Sequence, residues 1–323
     1  MDNQFLLETR NLKKYYPAGQ GRTLHALDGV NLRIQPGKTL GVVGESGCGK
    51  STLGKNILRL TEPTEGQIFL NGQKITAMSK AELRKLRPKI QLIFQDPYAS
   101  LNPRMTVEDS IAEPMLVNRM FKTRGEVYGR VDELMEIVGL APRNASLFPH
   151  EISGGLRQRV GIARALATNP EFIVCDEPVS ALDVSIQAQI LNLLMDLQDQ
   201  LHMSYLFISH DLSVVKHISH DVAVMYLGQC VESGSTEAIF RHPFHPYTRT
   251  LLDAIPTPTL TAREKEPQII YGEVVSPIDP APGCRFAARC PHAAEKCRQP
   301  QAEREIRPGH FVMCCRAEEL TNG

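Results

Sequence analysis

The chain has 323 residues, which is enough for a large hydrophobic core and by length suggests about two domains. Lys and Arg together number 36, and so do Asp and Glu, so the formal net charge is zero. This balance argues against nucleic acid as the main partner, because binding to a phosphate backbone requires a local excess of basic residues.

The sequence shows no sign of a membrane span or of a secretion signal. No apolar run approaches the roughly 18 residues that a spanning helix needs, and Met1–Arg10 lacks the layout of a signal peptide. We therefore expect a cytosolic chain. Its eight cysteines are then poor candidates for disulfides, because that compartment keeps thiols reduced.

The N-terminal segment, Leu6–Ile34, alternates apolar and polar residues around a polar stretch at Pro17–Arg22. This pattern predicts strands of a small antiparallel lobe that are joined by an exposed loop. Tyr15 and Tyr16 end the first strand. An aromatic ring at either position could stack on a nucleotide base or could cover an apolar lobe, and position alone does not choose between the two.

The next segment, Thr39–Leu53, reads TLGVVGESGCGKSTL and carries the clearest motif. It predicts a buried strand, a glycine-rich turn and a helix that begins at Lys50, in the pattern G-x-x-x-x-G-K-[ST]. The glycines let backbone N–H groups surround a phosphate, Lys50 adds a positive charge, and Ser51 offers a hydroxyl for Mg²⁺. The candidate ATP ligands in this loop are Gly44, Glu45, Ser46, Gly47, Cys48, Gly49, Lys50, Ser51 and Thr52.

The rest of the chain alternates predicted strands and helices, apart from a helical stretch near residues 106–148 that we expect to form an inserted subdomain. Such alternation predicts a mostly parallel sheet with the ligand at the carboxyl ends of its strands. The predicted strands are Gly66–Gly72, Ile90–Phe94, Phe172–Cys175, Tyr205–Ile208 and a hairpin of Val222–Tyr226 with Gln229–Glu232, and the predicted helices are one from Ser153 to Ala167, Val184–Leu201 and one that opens near Asp211. Pro256 and Pro258 mark a linker, and the sequence from Tyr271 onward shows little periodicity.

Polar residues follow three of the predicted strands. Asp176 and Glu177 end the strand at Phe172, Gln95 follows the strand at Ile90, and His210 follows the strand at Tyr205. One acidic residue can hold Mg²⁺ while the other activates water, since two adjacent buried acids without a cation would be costly. Gln95 and His210 could reach the γ-phosphate or the attacking water, or could be ordinary polar residues at strand ends.

These motifs together resemble the nucleotide-binding subunit of ATP-binding-cassette (ABC) transporters, and the match covers roughly Leu7–Gly234. In the order of the family they are Walker A at Gly44–Ser51, the Q-loop Gln95, the signature ISGGLRQR at Ile152–Arg159, Walker B at Phe172–Glu177, the D-loop at Ser180–Asp183 and the switch His210. The resemblance implies an α/β P-loop NTPase fold of the ABC type with an antiparallel β lobe, a helical subdomain and a C-terminal Cys-rich extension.

The resemblance also implies roles for residues of this chain. Glu177, His210 and Gln95 would be catalytic, and Ser51, Gln95 and Asp176 would hold Mg²⁺. ATP would be bound by the loop residues named above, by Tyr16, Gln95 and Asp183, and by Ser153, Gly154 and Gly155 of the signature. In the family the signature closes over ATP held by the opposite subunit, so hydrolysis requires a dimer. This chain has Ile152 and Leu156 where the family usually has leucine and glutamine, so we expect altered nucleotide contacts but an active site.

Two further stretches look like the ATP-binding subunits of peptide and nickel importers. They are QDPYASLNPRMTV at Gln95–Val107 and HPYT at His245–Thr248. The implied partners are a second ABC ATPase subunit, commonly a paralogue that makes a heterodimer, two transmembrane permease subunits and an extracytoplasmic substrate-binding protein, with no nucleic acid. We expect a coupling helix of a permease to contact Leu101–Met105. The implied location is peripheral, at the cytoplasmic face of the cell (inner) membrane.

Four cysteines near the C-terminus, Cys284, Cys290, Cys297 and Cys314, are separated by five, six and sixteen residues, and Cys315 is adjacent to the last. Four thiolates suit a [4Fe-4S] cluster or structural zinc, and these wide gaps favour iron and sulfur over zinc, whose ligands are usually paired two to four residues apart. The tail of the peptide importers carries cysteines at matching spacing. A cluster, zinc and no metal all remain open, with the cluster favoured.

The sequence thus predicts an ABC ATPase domain over residues 1–240, with a helical subdomain over about 97–155, and a C-terminal extension over 241–323. The predicted function is ATP hydrolysis that energises import of dipeptides or oligopeptides, with ATP, Mg²⁺ and a [4Fe-4S] cluster as cofactors. Import of nickel or another small solute by the same type of subunit is an alternative. A soluble cassette ATPase acting on ribosomes or DNA, or a metal sensor with a vestigial ATPase, is disfavoured by the single cassette and by the complete catalytic set.

Overall fold

The computed structural model describes residues 4–255 and 276–320. The predicted linker at Pro256 and Pro258 and the segment that begins at Tyr271 fall partly or wholly outside these residues. The chain divides into two compact units that alternate along the sequence. As far as they are described, the first contains Met1–Ile34, Thr39–Thr76 and Ser209–Gly323, and the second contains Gln35–Lys38 and Ala77–Ile208.

The described residues form twelve strands and ten α-helices. The strands are β1 Leu7–Pro17, β2 Thr23–Ile34, β3 Thr39–Val43, β4 Glu65–Leu70, β5 Gln73–Lys74, β6 Ile90–Ile93, β7 Phe172–Asp176, β8 Ser204–Ile208, β9 Asp221–Tyr226, β10 Gln229–Ser235, β11 Arg304–Arg307 and β12 His310–Val312. The helices are α1 Lys50–Ile57, α2 Lys80–Leu86, α3 Pro97–Ser100, α4 Val107–Val117, α5 Arg124–Ile137, α6 Gly154–Leu166, α7 Val184–Leu201, α8 Leu212–Ile218, α9 Thr236–Arg241 and α10 Pro246–Asp253.

The first unit contains the predicted antiparallel lobe. Strand β1 pairs with β2 on one side and with β4 on the other, and β5 pairs with β4, all antiparallel. The core of this lobe is apolar: Leu12, Leu27, Val30 and Ile68 are each fully buried. The alternating pattern that predicted these strands is therefore confirmed, because one face of the sheet packs inward.

The first unit also contains β3, which leads into the glycine-rich loop. Strand β3 runs parallel to β9, which pairs antiparallel with β10, and the tail strands continue this order through β12 to β11. Every residue of β3 is buried. The tail strands were not predicted. They are short, with four residues in β11 and three in β12, so local periodicity is a weak guide to them. Strand β12 pairs with β10, which is distant in sequence, and β11 pairs only with β12 among the described strands.

The second unit contains the parallel strands β6, β7 and β8, with β7 in the middle. All residues of β7 and β8 are buried, which is typical of parallel strands that are covered on both faces. The helices of this unit include α4 and α5, in the stretch for which helical spacing was predicted. No helix in the described ranges is both long enough and apolar enough to cross a membrane.

Candidate functional site

The glycine-rich loop follows β3 in the first unit, and its path requires glycine at two positions. Gly44 has a φ of +153°, and a Cβ on it would lie 2.2 Å from the carbonyl oxygen of Met225. Gly49 has a φ of +106°, and its Cβ would lie 2.3 Å from the carbonyl oxygen of Ala26. A side chain at either position would therefore collide with backbone and force the loop out of shape.

Helix α1 begins at Lys50 directly after this loop, as predicted. Gly49 is its N-cap and has no side chain that could satisfy the first-turn amides, which can therefore face an anion. The Lys50 side chain is buried, and its Nζ donates to the carbonyl oxygens of Gly44 at 2.8 Å and Glu45 at 3.0 Å. The loop thus places a cation and a helix N-terminus together, which is the chemistry that a phosphate group requires.

The other predicted loop residues differ in exposure. Ser46 and Gly47 are exposed, Ser51 and Thr52 are half-buried, and Cys48 is buried. Burial raises the pKa of the Cys48 thiol, so this cysteine stays a neutral packing residue.

Two residues that sequence reasoning missed also contact the loop. The N–H group of Glu45 donates to the hydroxyl of Tyr247 at 3.0 Å, and its carboxylate accepts two hydrogen bonds from Arg289. Tyr247 belongs to the HPYT stretch that marked the subfamily, but nothing in the sequence connected that stretch with the loop. Arg289 had no sequence signal at all.

The two tyrosines at the end of β1 have different surroundings. Tyr15 stacks on His25, with the ring centroids 4.1 Å apart, and its hydroxyl donates to Asp28 at 2.6 Å. Tyr16 is half-buried, and the Nζ of Lys14 lies 4.8 Å from the centre of its ring. Tyr15 therefore contacts residues of the lobe itself. Stacking of Tyr16 on a nucleotide base stays a prediction.

In the second unit, the structure brings Gln95 and Glu177 together. Ile93 of β6 pairs with Cys175 of β7, so the residues that follow the two strands emerge at the same edge. There the Nε2 of Gln95 donates to the Oε2 of Glu177 at 3.0 Å. Asp176, the last residue of β7, is buried. This edge therefore holds two acidic residues, one of which is oriented by an amide.

Glu177 has an unusual backbone. Its φ is +46°, in the left-handed region that costs a non-glycine residue about 1 kcal/mol or more. Two hydrogen bonds hold this conformation: its N–H donates to Ile208 at 3.0 Å, and its carbonyl oxygen accepts from the Ser180 hydroxyl at 3.1 Å. Backbone strain of this kind clusters at functional sites, because it fixes the direction of a reactive side chain.

The predicted signature lies at the start of α6. Ser153 is its N-cap, and the Ser153 hydroxyl accepts from the N–H of Leu156 at 3.4 Å. A Cβ on Gly155 would lie 2.7 Å from the Cγ2 of Ile186, so glycine allows α6 to pack closely on α7. Ile152 is buried, and Ser153 is exposed. The serine and glycine backbone of the motif is therefore a helix N-terminus at the surface of this unit.

Asp183 and His210 also lie next to helix starts. Asp183 is the N-cap of α7 and accepts from the N–H of Ile186 at 3.0 Å and from the Ser185 hydroxyl at 2.6 Å, and the bond from Ser185 lowers its pKa. His210 is exposed in the first unit. The preceding residue, Ser209, donates its N–H to Val42 at 3.1 Å, which places His210 just beyond the end of β3.

The tail cysteines are neighbours but do not converge on one point. Burial, with a smaller contribution from the thiols of Cys314, Cys297 and Cys290, raises the pKa of Cys284 to about 12. The sulfurs of Cys297 and Cys315 are 3.8 Å apart. Within residues 4–255 and 276–320, no three His, Cys, Asp or Glu side chains are placed to hold one metal ion. As the thiols lie, the structure does not support the predicted ligand set as a single-ion site.

Comparison with known proteins places the chain beside ATP-binding subunits. Residues 27–180 match the family model described as ABC transporter, and residues 231–297 match the one described as Oligopeptide/dipeptide transporter, C-terminal region. The chain is 49% identical over 322 residues to the oligopeptide transport ATP-binding protein AppF of Bacillus subtilis, a match that covers 97% of this chain and 98% of that protein. It is 48% identical over 320 residues to the dipeptide transport ATP-binding protein DppF of Haemophilus influenzae, with 97% of each covered.

A solved structure is also similar. It is the dimeric post-hydrolysis state of the ATP-binding cassette MJ0796 bound to ADP and Pi, with a TM-score of 0.66 and 31% sequence identity. The match covers 71% of this chain and 98% of that chain.

Proposed function

Since the chain belongs to the family of ATP-binding subunits of ABC transporters for oligopeptides and dipeptides, we propose that it hydrolyses ATP to energise peptide import. The observation that carries the proposal is the hydrogen bond from Gln95 to Glu177. It orients one carboxylate at a strand end, as a general base that takes a proton from water must be oriented.

The residues that the sequence predicted for the site supply the parts that phosphoryl transfer needs. The amides of the glycine-rich loop and Lys50 would bind the phosphates of ATP, and Ser51, Asp176 and Gln95 would hold Mg²⁺, which neutralises phosphate charge when bound. Glu177 would accept the proton of the attacking water, and Gln95 and His210 would position the γ-phosphate. Hydroxyl and carboxylate oxygens are the ligands that Mg²⁺ prefers, so the donor set fits this ion.

The substitution Glu177→Gln tests the proposed base. It keeps the shape of the side chain but removes the proton acceptor, so we expect normal ATP binding and hydrolysis about 10²- to 10⁴-fold slower. The measurements are ATP affinity and single-turnover hydrolysis. Glu171→Gln is the matched control, because Glu171 precedes the same strand and pairs with Lys89 at the surface. Near-normal hydrolysis by Glu177→Gln would remove the proposed role.

We propose that the active form is a dimer, with a paralogous ATPase subunit as the partner. The exposed N-terminus of α6 at Ser153 supports an intermolecular role, because a helix N-terminus at the surface can bind an anion that another chain carries. The similar solved structure is itself dimeric.

The proposed partners further include two permease subunits and an extracytoplasmic substrate-binding protein, which place the chain peripherally at the cytoplasmic face of the membrane. The names of the relatives, which refer to peptide transport, support this assembly. The stretch expected to contact a permease is only partly accessible, because Leu101 is buried in its own unit. Asn102, Pro103 and Arg104 are exposed and are the proposed contact residues.

We also propose the domain boundaries that the sequence predicted: an ATPase domain over 1–240, with a helical subdomain over about 97–155, and an extension over 241–323. Two separate family models match the chain, over 27–180 and over 231–297, which supports a division into an ATPase part and a C-terminal part.

Finally, we propose that Cys284, Cys290, Cys297 and Cys314 bind a [4Fe-4S] cluster. In such a cluster each thiolate binds a different iron, so four neighbouring thiols need not converge on one point. Anaerobically purified protein should contain about four iron and four sulfide per chain, and Cys297→Ser should lower both. Cys230→Ser is the control, since Cys230 is buried in β10. Zinc without sulfide, or no metal, would contradict the proposal.

A further inference from the structure

Two residues of the C-terminal part of the chain, Arg289 and Tyr247, form hydrogen bonds with Glu45 of the glycine-rich loop. Arg289 donates from both terminal nitrogens to the Glu45 carboxylate, at 3.0 and 3.1 Å. From a second direction, the Tyr247 hydroxyl accepts the N–H of Glu45 at 3.0 Å. Side chain and backbone of one loop residue are therefore both fixed by residues more than 200 positions away in sequence.

Arg289 and Tyr247 are themselves buried and held in place by their neighbours. The side chain of Arg289 is 8% exposed, and one of its nitrogens also donates to the Tyr226 hydroxyl at 3.2 Å. Tyr247 is fully buried, and its ring packs against Tyr226 and Phe286, with centroids 4.6 and 5.3 Å away. A bidentate Arg–carboxylate pair in buried surroundings fixes the orientation of the two side chains as well as the distance between them.

Glu45 also connects this contact with the phosphate-binding lysine. Its carbonyl oxygen accepts from the Nζ of Lys50 at 3.0 Å, while its carboxylate is bound by Arg289. Residues 44–49 include three glycines, which confer little stiffness on the loop. The shape of the loop before ATP arrives therefore depends on contacts from outside it. Glu45 makes three of these hydrogen bonds, and the carbonyl oxygen of Cys48 accepts another from the N–H of Gly228 at 2.8 Å.

We propose that Arg289 and Tyr247 are positioning residues of the phosphate loop, through which the C-terminal segment preorganises the loop for ATP. The inference rests on the proposed ATP-binding function of that loop. Neither residue touches ATP in this scheme. They raise the fraction of molecules in which the loop already has the conformation that binds ATP. The apparent affinity for ATP is proportional to this fraction, so it falls when the fraction falls.

Binding and kinetics of four variants test the inference, in the full-length chain purified with its partner subunits. Arg289→Ala should weaken binding of Mg²⁺ with the non-hydrolysable analogue AMP-PNP by about tenfold and raise KM for ATP equally. The turnover number at saturating ATP should stay within about twofold of the wild type, because bound ATP selects the competent loop. Arg289→Lys should bind AMP-PNP more tightly than Arg289→Ala but more weakly than the wild type, since it keeps the charge but loses the bidentate geometry.

Tyr247→Phe keeps the aromatic packing and removes only the hydroxyl, so it tests the inference even if Arg289→Ala fails to fold. We expect a several-fold loss of AMP-PNP affinity from it. Arg241→Ala is the matched control, because Arg241 forms an exposed pair with Glu237 in the same unit and should bind AMP-PNP like the wild type.

The outcomes separate the two proposals. If the wild type itself does not bind AMP-PNP, the proposed ATPase function fails. If the wild type binds it and both Arg289→Ala and Tyr247→Phe bind equally well, the positioning role is overturned. A fall in turnover with KM unchanged would overturn it too, since preorganisation acts on binding.

Discussion

A single buried residue of the C-terminal segment, His245, makes the stability of the chain depend on pH. It is the N-cap of α10, and its Nδ1 accepts the N–H of Tyr247 at 3.1 Å. Its Nε2 is buried without a hydrogen-bond partner in the described part of the chain. Burial lowers the pKa of His245 to about 4, so the folded chain keeps it neutral where an unfolded chain would protonate it.

This shift predicts a loss of stability in acid. Between the unfolded pKa of about 6.5 and the folded pKa of about 4, the unfolded state binds the extra proton, so the free energy of unfolding falls as the pH falls. His245→Asn keeps a good N-cap and removes the titration, so it should flatten this part of the profile. The measurement is urea unfolding at several pH values.

His242→Asn serves as the control for that experiment, because His242 is an exposed neighbour in the same segment. The same flattening in both variants would contradict the assignment to His245.

At the scale of elements, one buried carboxylate adds to the backbone pairing that joins the tail hairpin of β11 and β12 to β10. Glu232 of β10 accepts from the N–H groups of Phe244 at 2.7 Å and His245 at 3.0 Å. It also accepts from the Nε2 of His310, in β12, at 2.8 Å. One side chain thus joins a strand, the start of α10 and the tail.

Removal of this carboxylate should weaken the whole unit. Glu232→Ala leaves three buried donors without their acceptor, so we expect the free energy of unfolding to fall by about 3 kcal/mol or more. Urea unfolding measures this loss. Glu237→Ala, which removes one partner of an exposed pair, should change stability by less than about 1 kcal/mol. Equal effects from the two variants would show that the Glu232 network is not an anchor.

Elements with strong local signals were predicted well. Helix α7 has the predicted bounds, Val184–Leu201, because Asp183 caps its start and an apolar stripe runs along it. The tail hairpin was missed, although Pro308 and Gly309, whose φ is +73°, form the turn between its strands. Its strands are too short for periodicity to be visible, and they are recognised as strands only because β11 pairs with β12 and β12 pairs with β10.

At the scale of the whole molecule, the proposed dimer predicts that hydrolysis depends on concentration. If each ATP needs the signature of a second subunit, the rate per chain should rise with concentration at low concentrations and then level off. The measurement is steady-state hydrolysis across dilution, with light scattering to follow association. Ser153→Arg, which places a bulky cation at the proposed contact, should abolish the rise. A constant rate per chain at every dilution would contradict the need for a dimer.

The sequence by itself determined the motifs whose chemistry is local. A phosphate loop needs glycines and a lysine at fixed spacing along a strand, a turn and a helix, so the spacing of Gly44, Gly49 and Lys50 was enough to predict it. Strand ends likewise pointed to Gln95 and Glu177 as separate candidates, because parallel strands present their carboxyl ends at one edge. The hydrogen bond between the two side chains was not predicted.

Only the tertiary structure showed which distant residues hold the glycine-rich loop in place. Arg289 and Glu45 are 244 residues apart, and no pattern along the chain relates them. Such a contact forms because the aromatic packing of Tyr226, Tyr247 and Phe286 brings the tail against the loop. Local spacing fixes which backbone can bind a phosphate, whereas burial and packing between distant segments fix how firmly that backbone is held.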